Sequence, residues 1–492
     1  MKIIKKNDLN KITIRLPCKI IDVLKKIDKN ALGIVFVIDK RLKLLGSISD
    51  GDIRRILIKN KDPGYILSIN SKGINKKPIS LPVNTNVVQI QEFLNDKIKN
   101  KKLRCIPLID RLGRIVDYST RDRVRKFSVL EPLISEKELS YAANAIKSGW
   151  ISSRGAYLTK FENAFAKYLG GGFPVAVTSG TTALQIAISA LGIKKNDEII
   201  VPNFTFAATI NSIINSGATP VIAEVEKETW TLDISKLKKY ITRRTKAIML
   251  VHIYGQPGKI DEIKKLAKKF KLKLIEDCAE AVGAKYKGRL VGLDGDCSCF
   301  SFFANKTITS GEGGMAVFKK RDDAQLARQL INHGLSTKKR YFHEYVGTNF
   351  RMTNMQAAIG LAQLERVQEL LKKRKNIFKN YNKLLSKKNS VQLLPNNDWS
   401  ENSYWLYTII LKKINRFQRD KIIENMLSNG IECRPGFFSL NLMPPYKKFA
   451  KGNYKISNTL SDKTISLPTT NVSFKDINFI VKTLMSEMRD IK

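Results

Sequence analysis

From about residue 131 onward, short β-rich runs alternate with helical stretches, and no other feature of the 492-residue chain constrains its fold so strongly. Strands are expected at 175–178, 198–201, 219–223, 247–251, 273–276, 299–303 and 314–318. Helices are expected at 182–191, 207–216, 260–270, 322–332 and 355–373. Such alternation predicts an α/β fold on a mostly parallel sheet, with its chemistry at the carboxyl ends of the strands.

Three of those ends carry reactive groups. The run VAVTSGTTALQIAISALGI passes from a strand through Thr178, Ser179, Gly180, Thr181 and Thr182 into a helix. Hydroxyls and free N–H groups at a helix start suit an anion, although a plain capped helix has the same look. In LIEDCAEAVGA an apolar strand ends in Glu276 and Asp277, which suits either a cationic partner or a helix cap. In CFSFFANKTITSGEGGMAVF an apolar strand ends at Asn305 and Lys306, before a Gly-rich turn. A lysine amid apolar residues becomes nucleophilic when burial lowers its pKa, whereas most lysines at loop starts are simply solvated. A phosphate cradle, an acid and an amine in one fold fit pyridoxal phosphate.

The N-terminal part repeats itself. GIVFVIDKRLKLLGSISDGDIRR and RCIPLIDRLGRIVDYSTRDRVRK each hold an apolar strand, a turn, a second strand and Ser-x-x-Asp. Read at an offset of 70, the repeat pairs Ser49 with Ser119 and Asp52 with Asp122. Helical patterns precede both, at 20–27 and 87–94. Ser-x-x-Asp also serves simply to cap a helix. Between the two parts, Ser135 followed by Glu138 predicts a capping box and no long flexible linker.

The net charge of +43 raises the question of nucleic acid, but no DNA- or RNA-binding motif accompanies it. Residues 1–128 carry 30 basic and 12 acidic residues, about twice the basic excess per residue of the remainder. Runs such as KIKNKK and ELLKKRK read as solvated surface. The six cysteines form no CxxC pair, and only three histidines are present, so no metal site is expected. The uncharged stretches 173–193 and 199–223 hold too many Thr, Asn, Ser, Gly and Pro residues for membrane helices. A cytoplasmic protein with neither membrane insertion nor nucleic acid as partner is expected.

Two resemblances add to this reading. The repeats are similar to a CBS-domain pair, a small α/β module at 1–128 with repeats at about 8–60 and 75–127. That resemblance implies an adenine-nucleotide cleft, with Ser49, Asp52, Ser119 and Asp122 as contacts. Asp117 departs from the pattern, which has a small residue there. From about 131 to the end, SGTTALQIAISALGI, PNFTFAATINSI, VHIYGQP, IEDCAEAVGA, FSFFANKTITSGEGGM and VGTNFRMTNMQAAIGLAQLE resemble the sugar-nucleotide aminotransferases of fold type I.

This second resemblance implies a pyridoxal-phosphate domain at 129–380 and a smaller C-terminal domain at 381–492. It implies Lys306 as the cofactor-bearing lysine and Asp277 as the partner of the pyridine nitrogen. Phe206 would stack on the ring, and Ser179, Gly180, Thr181, Thr182 and Ser301 would hold the phosphate. Glu280 would sit near the ring hydroxyl. Asn349 would reach the phosphate of a neighbouring subunit, which implies a homodimer with shared sites. The implied reaction passes an amino group from glutamate to a nucleotide-linked 4-keto-6-deoxy sugar, foremost GDP-4-keto-6-deoxy-mannose giving GDP-perosamine, for polysaccharide synthesis. A UDP-linked ketosugar is the first alternative. A catalytically silent nucleotide-sensing or assembly protein is the second, and retention of Lys306 and Asp277 argues against it. Lys306 also argues against the sugar dehydratases of this scaffold, which carry histidine there.

Overall fold

A computed structural model describes residues 9–83, 85, 89–90, 93–94, 104–120 and 127–491. The chain divides into two compact units. One holds 1–127 with 422–432 and 483–492, and the other holds 128–421 with 433–482.

The larger unit is built on a seven-stranded sheet: β1 (Phe173–Val177), β2 (Glu198–Pro202), β3 (Thr219–Ala223), β4 (Thr245–Val251), β5 (Lys273–Asp277), β6 (Cys297–Ser301) and β7 (Gly314–Phe318). The spatial order is β3-β2-β4-β5-β6-β7-β1, and β7 alone runs antiparallel to its neighbours. Alternate strand residues enter two apolar cores. Ala176, Ile200, Ile248, Leu274 and Phe300 pack against helices Ala156–Leu169, Ile260–Lys269 and Asn354–Leu364. Val175, Val177, Ile199, Met249, Ile275 and Cys299 pack against Gly180–Ala190, Ala207–Asn215 and Arg321–Leu330. A sheet buried on both faces has no outward polar side, which explains the uncharged stretches. Among the described residues no helix is long and apolar enough to cross a membrane. A second, antiparallel sheet in this unit orders Val391–Leu393, Tyr407–Leu411, Thr464–Leu467 and Arg434–Pro435.

Two expected elements shift. The strand placed at 299–303 is Cys297–Ser301, because Phe302 leaves the sheet and buries its ring against Phe161 and Phe165. The helix placed at 355–373 is two, Asn354–Leu364 and Val367–Leu385. The break falls where Arg366 turns to pair with the buried Glu138 at 2.7 Å. Glu138 also closes the capping box expected with Ser135.

In the smaller unit one hairpin recurs, at a spacing one residue longer than the expected 70. Strands Ile34–Ile38 and Leu44–Ser49 recur as Cys105–Ile109 and Ile115–Thr120, an offset of 71. Both pairs are antiparallel, and both shift register one residue from the end of the first strand. The hairpins are joined symmetrically: Leu44 N–H donates to Gly113 O at 3.0 Å, and Ile115 N–H donates to Leu42 O at 2.9 Å. Those partners are themselves 71 apart, so a local two-fold axis relates the repeats.

Candidate active site

Lys306, Asp277 and Glu280 converge beyond the ends of β5 and β6. The backbone of Lys306 turns back on Phe303, its N–H donating to that carbonyl at 2.9 Å. Its Nζ lies 3.9 Å from Glu280 Oε1 and 3.9 Å from the centre of the Trp405 indole. Burial lowers the pKa of this amine, against the opposing charges of Glu280 and Asp277.

Asp277 closes β5. Its Oδ2 accepts the Thr209 hydroxyl at 2.9 Å and its Oδ1 the Ala279 N–H at 3.1 Å. A carboxylate has about four lone-pair directions, so room remains for a cationic N–H. Burial raises its pKa, and Ala279, Thr209 and the Lys306 charge oppose that rise. The preceding Glu276 points to the opposite face, as strand neighbours do. It accepts from His252 Nε2, the N–H groups of Asp294 and Gly295, and the Ser298 hydroxyl, so it is a structural anchor.

Glu280 Oε2 accepts the Tyr254 N–H at 2.6 Å, and burial pushes the carboxyl up to about 7. Tyr254 holds a left-handed φ of +50° and stacks on Phe437, with ring centres 5.1 Å apart. Phe437 in turn lies 5.6 Å from the exposed ring of Phe206. Phe206 caps the helix that carries Thr209, so one helix start places both the ring and the donor to Asp277.

The anion cradle forms where β1, β6 and β7 meet. Ser179 Oγ accepts the Thr182 N–H at 3.1 Å, and Thr182 Oγ1 accepts the Ser179 N–H at 3.0 Å. That box leaves the N–H groups of Gly180 and Thr181 without an acceptor among the described residues. First-turn N–H groups point out along the helix axis, toward any bound anion. A Cβ on Gly180 would lie 2.8 Å from Ser301 Cβ, and one on Gly314 would lie 2.3 Å from the Ser179 carbonyl oxygen. A side chain at either position would force the cradle to shift. Asn349 is exposed on a neighbouring segment, where Thr178 N–H donates to Phe350 O at 2.9 Å.

These residues fit pyridoxal phosphate. Gly180 and Thr181 offer N–H groups to a phosphate, Asp277 has free lone pairs for a ring nitrogen, and Lys306 presents an amine. Phe206 shows an open aromatic face.

Four participants escaped the sequence reading. Thr209 lies inside the run PNFTFAATINSI and Tyr254 inside VHIYGQP. Trp405 carries no local signal. Arg374 belongs to ELLKKRK, which reads as solvated surface; the structure corrects this, because Arg374 is only 3% exposed. It donates to the carbonyls of Trp405 at 2.9 Å and Lys306 at 3.4 Å, and burial lowers its pKa to about 10. A run of charges does not show which member a helix turns inward.

In the smaller unit, Ser49 and Asp52 form a capping box. Asp52 Oδ2 accepts from the N–H and hydroxyl of Ser49, and Oδ1 pairs with Arg55 at 2.5 Å. The 71-residue offset makes Thr120, not Ser119, the counterpart of Ser49. Ser119 corresponds to Ile48, and both are fully buried. Asp122 and half of the expected 87–94 helix lie outside the described residues, and the described positions 89–90 and 93–94 are helical.

Comparison with known proteins places the chain in a family. Residues 132–485 match the DegT/DnrJ/EryC1/StrS aminotransferase family. The GDP-perosamine synthase of Vibrio cholerae is 43% identical over 342 residues, 69% of this chain and 93% of that protein. That of Caulobacter vibrioides is 41% identical over 361 residues, 73% and 97% of the two chains. Among solved structures, the Streptococcus pneumoniae protein Spr1654 in its pyridoxal-phosphate form is 26% identical with a TM-score of 0.71, covering 75% of this chain and 100% of its own. Helicobacter pylori PseC, an aminotransferase of pseudoaminic acid biosynthesis, is also 26% identical, with a TM-score of 0.71 and coverage of 74% and 100%. The chain belongs to the DegT/DnrJ/EryC1/StrS family and is a pyridoxal-phosphate-dependent sugar-nucleotide aminotransferase of fold type I.

Proposed function

We propose that the chain transfers the amino group of glutamate to C4 of GDP-4-keto-6-deoxy-mannose, forming GDP-perosamine for polysaccharide synthesis in the cytoplasm. The supporting observation is its likeness to three GDP-perosamine synthases, 40–43% identical over 92–97% of their lengths.

Pyridoxal phosphate, when bound, supplies an electron sink and carries the amino group between the two substrates. Lys306 Nζ takes the proton from the α-carbon of glutamate and, in the return half, delivers one to C4 of the sugar. Asp277 keeps the ring nitrogen protonated. Gly180 and Thr181 bind the phosphate through N–H groups, joined by the hydroxyls of Ser179, Thr182 and Ser301. Phe206 fixes the plane of the ring, and Trp405 holds the lysine under the site. Turnover of GDP-, UDP- and dTDP-linked ketosugars with glutamate tests this reading. The GDP-linked 4-ketosugar should be aminated fastest, and Lys306→Ala should abolish both turnover and the borohydride-sensitive visible band. Preference for another nucleotide, or an active Lys306→Ala, overturns it.

The homodimer belongs to the same proposal. Asn349 is exposed and lies close in sequence to Tyr341, Phe342, Tyr345 and Val346, apolar residues that are exposed as well. Such a patch is what a second copy would cover.

For the N-terminal part we propose a CBS-type pair at 1–128, followed by a large cofactor domain at 129–380 and a small domain at 381–492. Its Ser-x-x-Asp motif serves first as a helix cap, since both Asp52 oxygens are engaged locally. Thermal shifts with ATP, ADP and AMP distinguish capping from nucleotide binding. Capping predicts no shift, whereas a shift that Asp52→Asn removes would establish a ribose contact.

A further inference from the structure

Glu280 is buried three residues past Asp277, and its two oxygens have different surroundings. Oε2 is fixed by the Tyr254 N–H at 2.6 Å. Oε1 faces Lys306 Nζ at 3.9 Å. Among the described residues, no acceptor lies within hydrogen-bond distance of Nζ, and its other neighbour is the Trp405 indole. The charged and titratable groups around the pair are few. Asp277 faces it from the end of β5 and already accepts from Thr209 and Ala279. Arg374 approaches from helix Val367–Leu385 through the Lys306 carbonyl. Tyr254 contributes a phenol whose pKa is raised by burial.

We propose that Glu280 Oε1 accepts the ammonium proton of Lys306 in the cofactor-free chain, so that one shared proton frees the amine to attack the cofactor aldehyde. This rests on the reading of Lys306 as the cofactor-bearing lysine. The step balances without a co-reactant: an N–H bond breaks at Nζ, an O–H bond forms at Oε1, and an ammonium–carboxylate pair becomes an amine and a carboxylic acid. The 3.9 Å gap is about 1 Å longer than a charge-assisted hydrogen bond, within reach of a swing of the lysine's terminal torsions.

Burial drives the transfer, because it penalises both charges and neither neutral form. It raises the Glu280 carboxyl to about 7 and lowers the Lys306 amine, so the two proton affinities approach each other. Glu280→Gln would preserve the shape and the Tyr254 bond but could not accept the ammonium proton.

The experiment uses the full-length chain stripped of cofactor by hydroxylamine. Trace acetic anhydride labels its amines between about pH 5 and about pH 11, and mass spectrometry reads acetylation at Lys306 against an exposed lysine. Two groups sharing a proton titrate as a coupled pair in two macroscopic steps. Lys306 labelling should therefore rise roughly tenfold per pH unit, stay flat for about a unit or more around neutrality, and rise again. Glu280→Gln should give one continuous rise. A single rise in the wild-type chain, at any midpoint, overturns the proposal and leaves Glu280 a fixed counter-charge. If Glu280→Gln does not fold, the wild-type profile alone decides. Borohydride fixation of pyridoxal phosphate tests the underlying reading separately: cofactor fixed on a different lysine sinks the role of Lys306 whatever the shape of the profile.

Discussion

Thr209 governs how Asp277 holds its charge. Its hydroxyl donates to Oδ2 at 2.9 Å and leaves its own oxygen to face the Thr205 hydroxyl, also at 2.9 Å. A donor of this kind favours the ionised carboxylate, against a burial that favours the protonated one. Removing it should raise the pKa of Asp277 further, so the ionised form proposed to face the ring nitrogen is lost at higher pH. A hydrogen bond to a charged group is worth about 1.5–3 kcal/mol, or roughly one to two pKa units. Thr209→Val should move the acid limb of the kcat profile upward by about one unit, and Thr209→Ser should restore it. An unmoved limb would show that the hydroxyl does not tune Asp277. Asp277 and Lys306 are legible in the sequence because one ends an apolar run and the other follows one. Thr209 is not, because only the fold brings a residue of the helix after β2 onto the end of β5. Arg374 stayed hidden for a related reason: four of its neighbours in ELLKKRK are charged, and the turn of the helix alone sets which one is buried.

The helix mouth at Gly180 depends on close backbone approach. Alanine is preferred to glycine inside a helix by about 1 kcal/mol, so propensity alone predicts that Gly180→Ala stabilises the chain. The added Cβ would meet Ser301 Cβ at 2.8 Å, closer than carbon atoms tolerate. Overpacking of this kind costs about 1–3 kcal/mol, which outweighs the propensity gain. Gly180→Ala should lower the melting temperature and weaken cofactor binding. Removing the opposing Cβ with Ser301→Gly should recover much of the loss in the double variant, read by thermal unfolding and cofactor titration. Equal stability in Gly180→Ala would show that β6 yields at no cost. The strand-to-helix run at 175–191 was legible because its hydroxyls interrupt an apolar pattern. The end of β6 was not, because CFSFF is apolar except for Ser301 and only the packing of Phe302 against Phe161 and Phe165 decides where the sheet stops.

At the scale of the molecule, the same chain builds two compact units by different devices. The smaller unit copies one hairpin 71 residues on and locks the copies by a symmetric pair of backbone bonds at Leu42–Ile115 and Leu44–Gly113. The repeat was legible in the sequence, but an offset of 70 matched like residues and missed the strand register. The register pairs Ser49 with Thr120 and turns Ser119 into the core. The larger unit gathers its candidate cofactor residues from four strand ends and leaves Asn349 exposed beside the cradle strand. If Asn349 serves the partner's phosphate, every site in a dimer draws Lys306 from one chain and Asn349 from the other. Lys306→Ala and Asn349→Ala chains should then each be impaired alone, yet regain activity when mixed. A heterodimer of the two has one site with both defects and one with neither. Equal mixing makes half the dimers heterodimeric, each with one intact site, so activity should recover to about a quarter of wild type, given free subunit exchange by mass action. Recovery confined to the sum of the separate variants would place Asn349 in the site of its own chain.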